Sequence, residues 1–266
     1  ILFLITFFST RERVKPLHEQ KNPFQQDMFD LFKNGPWMLI GFATVFQLVY
    51  VLIRGGTIVY YFDYYIQSQQ VSLFGKVWTF TSTQLSSAFM LCGTIVTIGA
   101  AMTTKWFCKI MDKSKIYAGF FLLAAITTAL VYWVSPQNLL LLFALQIVTS
   151  FCMGPVSVLQ WAIYTDTADY SEWKTGRRAT ALIMAASLFA LKMGVALGGA
   201  ILAWILAWYG YQANQPQTEL SLRGICLAMS IYAAIPAAIG ALLMFFYPLT
   251  NQRMTAIEAD LAQQRK

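Results

Sequence analysis

The chain has 266 residues, of which 58% are hydrophobic and only 12% are charged, against roughly a quarter charged in soluble domains. A single soluble core could not cover so much apolar surface, so the composition excludes an ordinary soluble protein and predicts an integral membrane protein. The net charge of +7 does not indicate nucleic-acid binding, because its distribution follows membrane topology.

The first segments of the chain are a short apolar stub and a polar stretch. The stub, residues 1–8, is too short for a bilayer, which takes about 20 residues of helix, and it has no basic flank typical of a signal peptide. We therefore expect 1–8 to be the end of a truncated transmembrane helix. Residues 9–35 predict a central cytoplasmic loop.

Six long apolar segments follow, and they predict an all-α integral membrane fold with a six-helix bundle over residues 36–247. The predicted spans are 36–62, 83–104, 116–134, 139–164, 179–208 and 224–247. A polar loop is predicted at 165–178. Residues 248–266 predict a cytoplasmic tail containing a short helix.

The basic residues assign the loops to the two sides of the membrane. Fifteen of the 19 Lys and Arg residues lie in four polar segments, whereas the opposite side holds only Lys76 and Arg223. The four segments are 9–34, 105–115, 165–178 and 248–266. Because cytoplasmic loops carry the excess of Lys and Arg, we expect a multi-pass protein of the plasma membrane, the inner membrane in a bacterium, with a cytoplasmic carboxyl terminus.

Lys192 lies inside a predicted span, where a Lys or Arg costs about 2.5–3.5 kcal/mol to insert and is a functional candidate by default. It is about 20 Å from either end of its helix, which is too far for its side chain to reach the membrane surface. The predicted spans contain no Asp or Glu. We therefore expect a carboxylate from another segment to pair with Lys192; a lysine that only tethers two helices is the alternative.

Arg54 is the second basic residue inside a span, six residues before the tyrosine cluster that begins at Tyr60 and marks a membrane edge. From about 9 Å below this edge, its side chain could snorkel to the headgroups. Alternatively, its guanidinium offers five fixed donors to the hydroxyls or the carboxylate of a sugar. Gly55 and Gly56 follow and predict either a close helix approach or a local break.

Polar groups also interrupt the fourth predicted span. Gln146, Gln160 and Trp161 combine amide donors and acceptors with an aromatic platform, a mixture typical of sugar sites. Hydrogen bonds between helices would explain the two glutamines equally well. The candidate substrate-binding residues are Arg54, Gln160 and Trp161.

Signatures of enzymes are missing from the sequence. The four cysteines, Cys92, Cys108, Cys152 and Cys226, have no metal-ligand spacing and are expected to be free. His18 is the only histidine, and serine-hydrolase and phosphate-loop motifs are missing. We therefore expect no enzymatic activity and no metal site. A non-transport assembly subunit of a membrane complex is an alternative from another class.

A motif in the predicted 165–178 loop carries a family resemblance. It runs Asp166-Thr167-Ala168-Asp169-Tyr170-Ser171-Glu172-Trp173-Lys174-Thr175-Gly176-Arg177-Arg178 and resembles the loop of the glycoside–pentoside–hexuronide:cation symporters, the group that includes melibiose permease. Val158-Leu159-Gln160 before the motif, the position of Lys192, and Tyr60-Tyr61-Phe62 at the end of the first span match as well. The resemblance covers nearly the whole chain.

This family has the major facilitator fold, with twelve helices in two halves of six. The resemblance implies that the six spans form the carboxyl-terminal half, that an amino-terminal half is missing, and that Lys192 lies close to acidic cation-site residues of that half. It also implies secondary active transport of a sugar or glycoside by alternating access, with Na⁺ or H⁺ as the coupling cation in place of any cofactor. Because relatives also carry lipids, a lipid or other small-solute transporter is the alternative.

Two charged segments are candidate cytoplasmic gates. The resemblance implies that 105–115 is the gating loop of this half, with Asp112 as its acidic residue. The opposite charges in the 165–178 segment predict that Asp166 and Asp169 pair with Arg177 and Arg178 when the cytoplasmic side closes. A solvated connector is the alternative. The expected partners are thus the lipid bilayer, a sugar or glycoside and the missing half, but no nucleic acid.

Overall fold

The computed structural model describes residues 8–9, 31–73, 76–176 and 180–264. Within these ranges it contains six helical spans that are long and apolar enough to cross a membrane. The predicted all-α membrane fold with six spans is therefore confirmed. Most of the predicted helix end at 1–8 and of the predicted loop at 9–35 lies outside the described residues.

The helices follow the predicted order, with small differences at their ends. In chain order they are α1 (Gly35–Tyr60), α2 (Ser82–Phe107), α3 (Lys113–Leu130), α4 (Leu139–Thr175), α5 (Thr180–Trp208), α6 (Glu219–Met229), α7 (Ile231–Phe245) and α8 (Asn251–Gln264). A π-helical turn, Tyr61–Ile66, extends α1, and a 3₁₀ turn, Val131–Trp133, extends α3. The sixth span consists of α6 and α7, with Ser230 between them.

Two short strands form an antiparallel hairpin between α1 and α2, β1 (Gln69–Leu73) and β2 (Lys76–Phe80). This hairpin was not predicted from the sequence. It follows the π-helical turn and leads directly into α2, whose first turn is held by a capping box between Thr81 and Gln84. The hairpin therefore connects the first two spans at the end of the bundle opposite the tail helix α8.

The fourth span is longer than predicted, and the predicted loop at 165–178 is wrong. Helix α4 continues through Thr175 and ends at Gly176, whose φ of 67° provides the left-handed cap common at helix ends. Residues 165–175 contain no Gly or Pro that would end a helix. They resemble a loop only because they are polar, and their polarity instead marks the part of the helix beyond the apolar span.

The spans pack in the order α2–α4–α3–α7–α1–α5, with a further contact between α1 and α4. Helices α2 and α5 therefore lie at the two edges of the arrangement. Only 28% and 22% of the residues in their most apolar segments are buried within the chain, against 50% or more in the other spans. The edges offer surfaces to lipid or to another protein segment.

Helices α1 and α5 run parallel and approach closely at two glycines. A Cβ atom at Gly194 would lie 2.7 Å from the Cβ of Leu48, and one at Gly198 would lie 2.7 Å from the Cβ of Leu52. Near the start of both helices, the indole N–H of Trp37 donates to the hydroxyl of Ser187 over 3.2 Å. The small residues of α5 thus set its distance from α1.

We expect Gly154→Ala to destabilise the protein by about 1–3 kcal/mol. A Cβ atom at Gly154 on α4 would lie 2.6 Å from the carbonyl oxygen of Thr97 and 2.7 Å from the amide nitrogen of Ala101 on α2, so one backbone must move. Gly119→Ala on α3 is the matched control, because nothing lies within 4 Å of its Cβ position. Thermal unfolding in detergent tests this, and equal melting temperatures for the two variants would contradict it.

Candidate functional site

A polar cleft of about 390 Å³ lies between α1, α2 and α4. Arg54 is the one charged residue among the described residues that line it. The other polar lining residues are Tyr50, Thr94, Thr97, Gln146, Thr149, Ser150 and Ser157. Two further cavities beside α1 and α5 are lined by apolar and aromatic side chains, so the α1/α2/α4 cleft differs from them in chemistry.

Arg54 is held at the wall of the cleft by Gln146. Its side chain is only 8% exposed, and its Nη2 donates to Oε1 of Gln146 over 2.6 Å. The guanidinium also lies 5.9 Å from the ring centroid of Phe89, within the range of a cation–π contact. Arg54 therefore stays inside the bundle, and the snorkelling interpretation is wrong.

The glycines near Arg54 permit close packing. Helix α1 continues without interruption through Gly55 and Gly56, so the predicted local break is absent there. A Cβ atom at Gly56 would lie 2.6 Å from Cδ2 of Leu202. Gly56 therefore permits the close approach of two helices that was the alternative prediction for this pair of glycines. On α2, a Cβ atom at Gly93 would collide with the amide of Gln146. Gly93 thus leaves the space that Gln146 needs to reach Arg54.

The hydroxyl groups of the cleft act mainly as acceptors. Those of Thr94, Thr97 and Ser157 each donate to the backbone carbonyl oxygen one turn earlier in the helix, over 2.9 Å. Because the hydrogen is used within the helix, the oxygen lone pairs are left to accept from a bound group. The cleft therefore combines acceptors on α2 and α4 with the donors of Arg54.

Gln160 and Trp161 lie farther along α4. Gln160 follows Gln146 by 14 residues, about 21 Å along the helix axis, so it does not meet Arg54. Its side chain is 3% exposed, and its Nε2 has no hydrogen-bond partner among the described residues. Trp161 is 47% exposed and shares a helix face with Ser157, four residues earlier. It lies one turn beyond Ser157, the last residue of α4 that lines the cleft.

Lys192 is exposed on α5. The face of α5 that packs inward includes Ala190 and Gly194. Lys192 is two positions along the chain from each of these residues, which places it about 200° away from them around the helix axis. Lys192 is thus on the side of α5 away from α1. No ion pair with Lys192 occurs among the described residues, and its pairing with a carboxylate of another segment stays a prediction.

Asp166 forms an ion pair that joins α4 to the start of α3. Its Oδ2 lies 2.8 Å from Nζ of Lys113 and its Oδ1 lies 2.9 Å from the same atom. The side chain of Asp166 is 11% exposed and that of Lys113 is 31% exposed. The pairing of Asp166 with Lys113 was not predicted from the sequence. Arg177 and Arg178 lie outside the described residues, so their predicted pairing with Asp166 and Asp169 stays a prediction.

Asp112 links the connection between α2 and α3 to the tail helix. Its Oδ1 accepts from the backbone N–H of Asn251 over 3.0 Å, and its Oδ2 lies 2.9 Å from Nζ of Lys115. Buried side chains seat α8 against the bundle: Met254, Ile257 and Leu261. The predicted gating loop is therefore attached to the tail helix at the cluster of charges that also contains Asp166.

We expect a pH-dependent contribution of Asp112 to stability. The N–H of Asn251, and then the ammonium of Lys115, lower the pKa of this carboxyl group below its usual value of 3.8. Stabilisation from a carboxyl group with a lowered pKa is present above the unfolded value of about 3.9 and is lost as the pH falls through the folded value. For such an exposed contact it amounts to less than about 1 kcal/mol.

Melting temperatures of the wild type and Asp112→Asn measure this contribution between pH 3 and 7. The two proteins should differ in melting temperature at pH 6, and the difference should shrink as the pH falls below the usual pKa. Glu258→Gln, on the exposed face of α8, controls for the loss of a negative charge. A difference between wild type and Asp112→Asn that is the same at every pH would contradict the prediction.

Comparison with known proteins decides the family. The family described as MFS/sugar transport protein matches residues 1–251. The chain belongs to this family. The resemblance to the glycoside/cation symporters of the major facilitator superfamily is thereby confirmed.

Curated relatives of this MFS/sugar transport family member are named as transporters. The inner membrane symporter YicJ of Escherichia coli K12 is 28% identical over all of this chain and 55% of its own length. The isoprimeverose transporter of Lactiplantibacillus pentosus is 27% identical over 99% of this chain and 52% of its own length. The glucuronide carrier protein homolog of E. coli K12 is 27% identical over 100% of this chain and 55% of its own length. The chain spans about half the length of the curated relatives it matches.

Proposed function

We propose that this chain is the carboxyl-terminal half of a secondary transporter that moves a sugar or glycoside together with Na⁺ or H⁺ by alternating access. The observation that carries the proposal is the cleft around Arg54, whose polar lining residues distinguish it from the two apolar cavities beside α1 and α5. Its hydroxyl acceptors and guanidinium donors complement the hydroxyl groups of a sugar. The names of the relatives, an isoprimeverose transporter and a glucuronide carrier homolog, support the same solute class.

The second half of the transporter would cover the poorly buried edges of this bundle. Helices α2 and α5 have the least buried apolar segments, and Trp161 is exposed on α4 one turn beyond the cleft. In two-half transporters the solute binds between the halves near the bilayer midplane. Arg54 and Gln146 would then form this half's share of the solute site, and Trp161, about 22 Å farther along α4, would line the path that leads to it.

Coupling to the cation would depend on Lys192. This ammonium lies on the exposed side of α5, without an ion pair among the residues that the structure describes. A buried or enclosed ammonium needs a carboxylate partner, which the other half would supply. Entry of Na⁺ or H⁺ at that carboxylate would release Lys192, and so connect cation binding to the movement of the halves.

The cytoplasmic gate would be the charged cluster at the ends of α3, α4 and α8. The Lys113–Asp166 pair joins α3 to α4, and the bond from the N–H of Asn251 to Asp112 joins the start of α3 to α8. Asp169, Arg177 and Arg178 would add contacts to the other half when this side closes. The distribution of basic residues supports placing the cluster and the carboxyl terminus in the cytoplasm of a bacterium, with the spans in its inner membrane.

Uptake by the full-length gene product in proteoliposomes tests the proposal. A panel of labelled pentosides, hexosides and hexuronides is offered under an imposed Na⁺ gradient and, separately, an imposed pH gradient. We expect accumulation of at least one sugar above its external concentration, and collapse of that accumulation when an ionophore removes the gradient. Movement of lipid probes without movement of any sugar would support the lipid-transport alternative instead.

A further inference from the structure

Among the described residues, the wall of the α1/α2/α4 cleft has one full positive charge and no matching negative charge. From this we propose that the cleft is a subsite for an acidic group, so that the transported solute is a sugar acid or an anionic glycoside. The inference rests on the proposed sugar transport and narrows its substrate class. It depends on the surroundings of Arg54 in the folded chain, because the sequence alone left snorkelling open.

The charge of Arg54 is not compensated within the described part of the chain. A guanidinium stays protonated in proteins, and its partner Gln146 is a neutral amide. Neither of the ion pairs formed among the described residues includes Arg54, and the other lining residues of the cleft are uncharged. An uncompensated charge in a low-dielectric site favours binding of an anion.

The donors of Arg54 are also only partly used. Its Nη2 donates to Gln146, but its enclosed Nε has no acceptor among the described residues. A carboxylate or sulfonate accepts two parallel N–H bonds from a guanidinium, whereas one sugar hydroxyl cannot. The unused donors thus fit a group with two adjacent anionic oxygens better than they fit a neutral ring.

The guanidinium is held in place before any solute arrives. Gln146 is fixed from its other end, because its Nε2 donates to the carbonyl oxygen of Phe89 over 3.3 Å. The ring of Phe89 lies against the guanidinium, and Gly93 leaves room for the amide. A donor group oriented in advance loses less entropy on binding. Gln146 is therefore a positioning residue for Arg54.

The hydroxyl oxygens of α2 and α4 complete the recognition. Thr94, Thr97 and Ser157 have already donated their hydrogens within their helices, so they accept from ring hydroxyls and would repel an anion. The acidic group is thereby directed to Arg54 and the neutral hydroxyls to the other walls. A volume of about 390 Å³ falls within the usual range for small-molecule sites.

Binding of matched sugar pairs to the full-length protein tests the inference. Methyl β-D-glucuronide is compared with methyl β-D-glucoside, and methyl α-D-galacturonide with methyl α-D-galactoside, by calorimetry at pH 7. Each pair differs in a carboxylate against a hydroxymethyl group. We expect an acid to bind at least about 10-fold more tightly than its neutral partner, as charge-assisted bidentate contacts allow. Arg54→Gln should remove this preference, because it should weaken binding of the acid at least about 10-fold more than binding of its neutral partner.

Two further variants distinguish loss of the binding site from loss of the folded structure. Gln146→Glu places a carboxylate on Arg54, and should weaken binding of the acid far more than binding of its neutral partner. Arg223 is an exposed arginine in α6, and Arg223→Gln should change neither the affinity for acids nor the affinity for neutral sugars. Equal affinity for acids and neutral sugars, or equal weakening of both by Arg54→Gln, would overturn the inference and leave the sugar transporter standing. Absence of binding by every sugar in the set would instead remove the proposed function, and this inference with it.

Discussion

Replacement of Lys192 by alanine is expected to reduce cation-driven accumulation of solute by the full-length protein by a factor on the order of 10–100, the usual range of coupling free energies. The reason is the position of the ammonium on the exposed side of α5, where it has no ion-pair partner in the described ranges. Its loss would leave the carboxylate of the other half permanently free, so that cation binding no longer changes the charge balance. Proteoliposome uptake under a gradient measures this effect.

Three comparisons make this result specific. Lys192→Arg keeps the charge and should retain part of the accumulation. Lys174→Ala, an exposed lysine near the end of α4, should have no effect on accumulation. Exchange of solute across the membrane without a gradient should persist in Lys192→Ala, because the cleft is intact. Full accumulation by Lys192→Ala would reduce the residue to a tether between helices.

Replacement of Asp166 by alanine is expected to destabilise the protein by about 2–3 kcal/mol. The variant leaves the ammonium of Lys113, which is only 31% exposed, without its carboxylate. The partial access of solvent to Lys113 places the effect below that of a fully buried pair. Melting temperatures in detergent, compared with those of Lys113→Met and of the double variant, give the coupling energy of the pair.

The exposed pair on the same helix provides the control for Asp166. Lys115 is 61% exposed and pairs with Asp112 three residues earlier. Lys115→Ala should therefore cost no more than about 0.5 kcal/mol. The double variant Lys113→Met/Asp166→Ala should recover part of the stability, because no unpaired charge is left. If Asp166→Ala and Lys115→Ala lowered the free energy of unfolding equally, the burial of the Lys113–Asp166 pair would have no energetic consequence.

The six spans could be predicted from the sequence because the bilayer imposes a simple requirement. A helix that crosses hydrocarbon needs a long apolar run, and each of the six predicted runs corresponds to a span. Beyond the membrane this requirement ends, so the helical continuation of α4 to Thr175 has no apolar signal. The hairpin was also missed, although Gly75 between two short β-branched and aromatic stretches is a hairpin signal.

The candidate site could be predicted in part. Arg54 was found because a charge within an apolar run is conspicuous. Its contact with Gln146 connects residues 92 positions apart and depends on the packing of α1 against α4, which no local pattern encodes. The polar character of Gln146, Gln160 and Trp161 is evident in the sequence, but which of them contacts Arg54 is not. A 14-residue separation along one helix shows that polar groups of the same span need not share a site.

The length of α4 determines how far its end moves when the helix tilts. Its 37 residues correspond to about 55 Å, well beyond the hydrocarbon thickness of about 30 Å. From Pro155, where the helix lacks a backbone donor, to Thr175 is about 30 Å, so a tilt of about 10° at Pro155 moves the far end by about 5 Å. That displacement exceeds the length of the hydrogen bond from Trp173 to Asp260, 3.1 Å. The length of α4 beyond Pro155 thus makes the contact between Trp173 and Asp260 sensitive to a small change of tilt within the membrane.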